Sequence, residues 1–243
     1  HLNVWGAFFQ DITNDFSNSR PSDSVLPHVR SDAHLYLTNG SSGLNSLFLE
    51  SRFSLNSSLH TRAYIGILEE MFSGIGTEML YHKYDRRWAV GGNFSWVRQR
   101  GYQKNFDHLD YSVGTGFLSF YYASPIYNVD AAVHMGKYLA GDKGFTFELK
   151  RTFDNGFEVG AFFTRTNVSA KDFGEGSFDK GLIFRIPFNH FSSGNTRGAF
   201  STSLRSINRD GGRRLEDFSS NLWNDRRSFR LDGLVRTQKR MNP

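Results

Sequence analysis

The chain has no cysteine, and only 5 of its 243 residues are proline. The missing thiols exclude disulfide scaffolds and thiolate-held zinc or iron–sulfur centres. They exclude no compartment, since a cysteine-free chain crosses an oxidising periplasm without mispairing. No apolar run approaches the roughly 20 residues of a membrane-spanning helix. Hydrophobic residues make up only 38% of the chain, yet aromatics reach 16%, with 24 Phe, 10 Tyr and 4 Trp, and Gly numbers 24. Ordinary cores lean on Leu, Ile and Val. Aromatics and glycine at low overall hydrophobicity fit strands with an apolar belt on one side and a wet interior on the other.

No segment shows a helical period, and neither a repeat nor a linker divides the chain, so one domain over residues 1–243 is expected. His1 opens neither a charged nor an apolar leader segment, so the chain reads as a mature protein or part of a longer one. The net charge is +5, with the surplus towards the C-terminus from Arg205 to Arg240. That surplus is either a solvated basic tail or a surface for anionic headgroups, an acidic polysaccharide or nucleic acid. Nucleic acid requires a structured basic patch interleaved with aromatics, and none is expected here.

The organising stretch is Lys143 to Ile186. Phe145, Phe147 and Leu149 alternate with Thr146, Glu148 and Lys150, and an Asp154-Asn155-Gly156 turn follows. Then Val159, Ala161 and Phe163 alternate with Glu158, Gly160, Phe162 and Thr164, and Leu182, Phe184 and Ile186 alternate with Gly181, Ile183 and Arg185. Side chains of a strand point to opposite faces in turn, so each run has one apolar and one polar or mixed face. Asn-Gly between two such runs is a strong hairpin signal. Trp88, Val90, Phe94 and Trp96 share a face opposite Asn93, Ser95 and Gln99, and Val129, Ala131, Val133 and Met135 share one opposite Asp130 and His134. A soluble sandwich would turn the apolar faces inward. A membrane barrel turns them out to lipid and the charges to the lumen.

The run lengths favour the barrel. Strand candidates at 2–12, 32–38, 45–55, 58–69, 75–84, 87–99, 108–122, 126–139, 143–153, 156–167, 180–188, 197–208 and 227–236 include several of the roughly 9–11 residues that cross a bilayer at a tilt. Connections near 56, 85, 124 and 155 are tight, whereas 100–107, 168–179 and 209–225 read as long polar loops. Short turns at one end and longer loops at the other are the habit of outer-membrane barrels. On this count the loop at 13–30 falls on the wrong side, and the break at 189–195 is long for the short side. The expected fold is thus all-β, an antiparallel transmembrane β-barrel of roughly 12 to 14 strands, completed if need be by strands outside this chain.

Tyr138-Leu139-Ala140-Gly141-Asp142-Lys143-Gly144, Phe153-Asp154-Asn155-Gly156, Phe173-Gly174-Glu175-Gly176-Ser177-Phe178-Asp179-Lys180-Gly181 and Arg209-Asp210-Gly211-Gly212 together resemble the C-terminal region of the YjbH/GfcD family. Trp96-Val97-Arg98-Gln99-Arg100 and Asp110-Tyr111-Ser112-Val113 fit the same pattern, so the resemblance covers about residues 45–215. It implies an outer-membrane β-barrel protein of Gram-negative bacteria tied to exopolysaccharide or capsule biosynthesis. Implied partners are outer-membrane lipids including lipopolysaccharide, the polysaccharide polymer, and periplasmic or lipoprotein export factors. Family members are much longer than this chain, and the ending Arg240-Met241-Asn242-Pro243 lacks the terminal aromatic common in such barrels.

Candidate lumen residues that would meet a polysaccharide are Glu78, Asp130, His134, Glu148, Lys150, Glu158 and Arg185, with Glu175, Asp179 and Lys180 on a Gly-rich loop. Trp88 and Trp96 are candidates for a lipid-facing aromatic belt. The bland reading of the lumen charges is solvation of a wet interior, and of the loop a structural turn. His134 stands near Asp130 on one strand face, but no local motif marks a hydrolase, and no two histidines recur with a carboxylate at ligand spacing. The expectation is a non-catalytic barrel without cofactor or metal that assists polymer export through a polar lumen. The alternatives are a membrane-embedded enzyme modifying lipid or polysaccharide, and a non-conducting barrel that anchors periplasmic assembly factors.

Overall fold

The computed structural model describes residues 2–13, 24–40, 42–169, 172, 178–188, 199–205, 209–216 and 218–227. Eleven strands form one sheet: β1 Leu2–Phe9, β2 Gly43–Ser54, β3 Leu59–Ile67, β4 Phe72–His82, β5 Trp88–Arg100, β6 His108–Ala123, β7 Val129–Lys137, β8 Lys143–Thr152, β9 Glu158–Thr166, β10 Asp179–Pro187 and β11 Ala199–Arg205. Every strand pairs antiparallel with its sequence neighbour, in the order β1 to β11. The sheet curls, since residues from β3 through β11 line one internal cavity. Among the described residues β1 and β11 are its two edges and do not pair with each other.

The strand count falls short of the roughly 12 to 14 expected for the barrel. Two candidates account for this. Residues 228–236, most of the last one, lie outside the described residues. The other, Asp32 to Thr38, is not a strand but the helix α1, Ala33–Asn39. Alternation over so short a run does not distinguish helix from strand, and the tertiary anchor decides. Tyr36 is buried, its hydroxyl donates to the Arg100 carbonyl at 2.6 Å, and its ring meets Tyr102 edge-on at 5.1 Å. Removing that strand restores the parity of the connections. The long excursion at 10–42 now falls at the same end as 68–71, 101–107, 138–142 and 167–178. The hairpins at 55–58, 83–87, 124–128 and 153–157 sit at the other end.

The long-loop end is a packed cap. Val29, Tyr36, Leu68, Met71, Phe72, Val97, Val113 and Leu139 form one buried cluster there with Phe48 and Tyr64. Arg100, fully buried, donates to the carbonyls of Glu69, Glu70 and Asn105 and so ties two loops together. Buried backbone carbonyls need such donors, because water cannot reach them.

The two faces of the sheet are inverted relative to a soluble protein. Leu49, Ile65, Ile75, Phe94, Leu118, Phe120, Met135, Leu149, Phe163 and Leu182 point outward and are exposed. Glu50, Arg62, Glu78, Ser119, Asp130, His134, Thr146, Glu148 and Thr164 point inward and are buried. Trp88 and Trp96, 38% and 54% exposed, lie on the outer face of β5, Trp88 at its start and Trp96 past its middle.

Candidate functional site in the polar interior

A buried charge is tolerated only when paired and hydrogen-bonded, and the inner face shows where the partners come from. Residues 209–225, read from sequence as a loop, run along the interior where they are described, at 209–216 and 218–225, and lead into the helix α2, Leu222–Arg227. We refer to residues 209–227 as the strap. It starts at the cap, where the Asp210 carboxylate accepts from the Arg30 and Ser31 amides at 2.7 and 3.0 Å and from the Ser31 hydroxyl at 2.7 Å. The Leu139 amide donates to the Arg213 carbonyl at 2.8 Å, and the Gly212 amide to Asp142 at 2.8 Å. Burial pushes the Asp142 carboxyl up from its ordinary pKa, and the Gly212 N–H opposes that shift.

Further along, Arg214 pairs with Glu148. The Glu216 amide donates to Glu69, which also holds Arg30 at 2.7 Å. The Phe218 ring packs edge-on against Phe48 and Tyr64 at 5.0 and 4.9 Å. Ser219 donates to Glu50 at 2.8 Å and accepts from Arg62 at 2.5 Å, while Arg62 also pairs with Glu50 and, at 3.1 Å, with Glu78. Leu222 N donates to Glu78 at 3.0 Å. Trp223 stacks on Tyr121 at 5.0 Å and meets His82 edge-on. Asp225 pairs with Arg52. At the hairpin end Arg227 reaches Asp130 at 2.6 Å, Glu158 at 3.0 Å and Thr152 at 2.5 Å.

The sequence-derived lumen residues therefore do share one interior, but as anchors of the strap rather than as a solvated track. Glu78, Asp130, Glu148 and Glu158 each hold it directly. Lys150 supports Glu148 at 3.4 Å, and Arg185 stands 3.9 Å from Glu158. His134 does not pair with Asp130. Its Nδ1 meets Ser119 Oγ at 2.7 Å, and its Nε2 lies 3.6 Å from Glu148. Asp179 and Lys180 are not loop residues but open β10, with Asp179 buried. Glu175 lies outside the described residues. Among the described residues no three His, Asp or Glu side chains converge as a metal site.

Sequence reading missed Glu50, Arg62, Ser119, Ser219 and the strap arginines. Glu50 and Arg62 carry the same signal as the others, a charge alternating with apolar neighbours in a strand. Ser219 and Arg227 carry none, because what they touch is distant in sequence.

Between strap and wall lies a cavity of about 840 Å³, lined by charged, hydroxyl, amide and aromatic side chains that include Arg62, Asn93, Thr115, Phe117, His134 and Ser203. That volume is of the size of a site for a small organic ligand.

The cap holds one pH-sensitive contact. His28 donates or accepts at Asp32 Oδ1, 2.8 Å away, and at the Ser24 carbonyl, 3.1 Å away. Burial lowers its pKa, but the Ser24 carbonyl and the Asp32 carboxylate together raise it above the ordinary value. A raised histidine pKa stabilises the fold fully below about pH 6.5 and loses that contribution as pH rises through the raised value. The unfolding midpoint of His28→Gln should therefore fall below wild type at about pH 5.5, and the gap should close by about pH 8.5. A gap that widens with pH contradicts this assignment.

A family model described as exopolysaccharide biosynthesis protein YbjH matches residues 1–224. The chain is 38% identical over 224 residues to a protein of Escherichia coli strain K12 named "Uncharacterized lipoprotein YjbH", covering 88% of this chain and 32% of that protein. It thus spans about a third of the length of that relative. No solved structure matches it. With the match running from the first strand to the helix of the strap, the chain belongs to the YjbH family of exopolysaccharide biosynthesis proteins.

Proposed function

We propose that this chain forms the wall and the internal strap of an outer-membrane β-barrel that assists export or surface assembly of an exopolysaccharide. The observation that carries this reading is the inversion of the sheet, with an exposed apolar outer face and a buried ionic inner face. In water that arrangement exposes the wrong surface, whereas in a bilayer it matches lipid outside and polar groups within. The short hairpins at one end and the large cap at the other follow the asymmetry of outer-membrane barrels. The family supplies the polymer class, and the lipoprotein name of the E. coli relative supports a membrane setting.

The strap favours a second reading, a non-conducting barrel that anchors periplasmic or lipoprotein assembly factors, because it is pinned to the wall from the cap to the hairpin end. The experiment is reconstitution of the folded chain into liposomes. Folding is judged first by a β-rich circular dichroism spectrum and by a gel mobility that shifts on boiling. A folded chain that passes oligosaccharide supports the conduit. One that stays tight even after the strap is loosened supports the anchor. A chain soluble without detergent and showing no shift removes both.

A further inference from the structure

Ser119, His134 and Glu148 occupy inner-face positions on the consecutive strands β6, β7 and β8. Ser119 and His134 are directly paired across strands, and Glu148 lies one diagonal step beyond the Thr146 that faces His134. Ser119 Oγ is 2.7 Å from His134 Nδ1, and His134 Nε2 is 3.6 Å from Glu148 Oε1. With the ring hydrogen on Nε2, that N–H stands 3.6 Å from the carboxylate, just beyond hydrogen-bond length, and Nδ1 is left to accept the serine hydroxyl. All three side chains line the cavity.

A serine–histidine contact alone means little in this sheet. Ser54–His60 and Ser73–His108 are also hydrogen-bonded. Among the described residues, only the Ser119–His134 pair has a carboxylate near the second ring nitrogen and a cavity in front of it. Nearby Asn93, also on the cavity wall, has its Oδ1 occupied by the Phe117 amide at 3.1 Å, so its side-chain NH₂ remains to donate to a developing oxyanion.

We infer that Ser119, His134 and Glu148 form a serine esterase site in the polar interior, acting on acyl esters carried by a saccharide. Ser119 Oγ attacks the ester carbonyl while its proton passes to His134 Nδ1. The tetrahedral intermediate collapses, the sugar alkoxide leaves with that proton, and an acyl-serine remains. Water, deprotonated by the same imidazole, then releases the carboxylic acid and restores Ser119. Ser119 and His134 are catalytic. Glu148 is a positioning residue that holds the tautomer. Its Oε1 also carries Arg214 of the strap, so strap and site share one oxygen. The lining is mixed, with Thr115, Asn93 and Lys150 beside Phe162, Ile183 and Leu204, so it accepts an ester with a polar carrier on one side and an acyl group on the other. The saccharide as carrier rests on the proposed function; the hydrolysis does not.

The test uses the full chain, folded in detergent and verified by its mobility shift. Treatment with an alkyl fluorophosphonate followed by peptide mass spectrometry should place an adduct on Ser119. A folded chain without that adduct overturns the proposal, and this result depends on no variant. In p-nitrophenyl acetate hydrolysis, Ser119→Ala should lower kcat/KM by about a hundredfold or more. Unchanged hydrolysis in that variant overturns it as well. Glu148→Gln should lower kcat with KM unaltered, and Glu148→Asp should recover part of it, whereas a KM effect alone denies Glu148 its positioning role. A failed flux assay leaves all these outcomes intact, so the two readings fail separately.

Discussion

Arg227→Ala is expected to loosen the strap and open the interior. Its guanidinium is shared by four groups at the hairpin end, Asp130 of β7, Thr152 of β8, Glu158 of β9 and, at 3.4 Å, Asn128 of the turn before β7. Alanine keeps the backbone of α2 and takes away the cation that these groups share. Removing one partner of a buried ion pair costs about 3–5 kcal/mol, because the remaining charge keeps its desolvation penalty. For a chain of this size that corresponds to a fall of about 10 °C in the temperature at which the folded band disappears from the gel. On the proposed barrel reading, conductance in planar bilayers should rise several-fold at the same time, since Arg227 ties the end of the strap to β7, β8 and β9. Arg227→Lys separates charge from geometry. Lysine keeps one positive charge but cannot serve several acceptors with a planar fork, so its effect should be intermediate. If Arg227→Ala melts like wild type and conducts no better, the strap is not the closure of the interior.

The strap also marks where the sequence stops being legible. Period-two alternation located the strands because a pleated strand writes its two faces into adjacent residues. Glu148 and Phe163 announce their sides within a window of a few positions. Such a window failed at Asp32–Thr38, where a helix fixed by Tyr36 imitates a short strand, and one false strand then reversed the apparent side of the loop that precedes it. It failed again in β6 and β7. A turn centred on Ser124-Pro125 sets Ser119 against Asp130. The chain instead turns at Ile126 to Asn128, where Tyr127 and Asn128 both take positive φ of 53°, and Ser119 then faces His134. Register follows turn geometry, so a small misplacement hid the pair that lines the cavity. The strap was beyond any window. Ser219 meets Glu50 across 169 positions and Leu222 meets Glu78 across 144. A polar run rich in arginine looks the same whether it is solvated or threaded through an ionic interior.

Arg62→Met should show a loss of stability at least as large as that of Arg227→Ala. Arg62 stands between Glu50 and Glu78, which are 1% and 8% exposed, and it also donates to Ser219 of the strap. Its guanidinium lies 4.8 Å from the Tyr64 ring centroid and 4.9 Å from that of Phe218, so it is sandwiched between wall and strap. Methionine fills much of the volume but takes away the cation between the two carboxylates, leaving Glu50 to Arg52 at 2.9 Å and Glu78 to the Leu222 amide. The penalty is again about 3–5 kcal/mol, and the attraction of the cation for the two ring faces disappears with it. The size of the loss should depend on the carboxylates rather than on the missing arginine as such. Adding Glu50→Gln to Arg62→Met removes one buried charge and keeps an acceptor for Ser219. It should therefore recover a large part of the folded, heat-shifting band, because neutral replacements of buried ion pairs are often tolerated. A double variant no more stable than Arg62→Met would mean that packing of Tyr64 and Phe218, not charge balance, fixes the middle of the strap. Recovery of the band together with raised conductance would mean that the wall tolerates a neutral interior while the strap does not stay seated in one, which is the behaviour expected of a segment held in place by ion pairs.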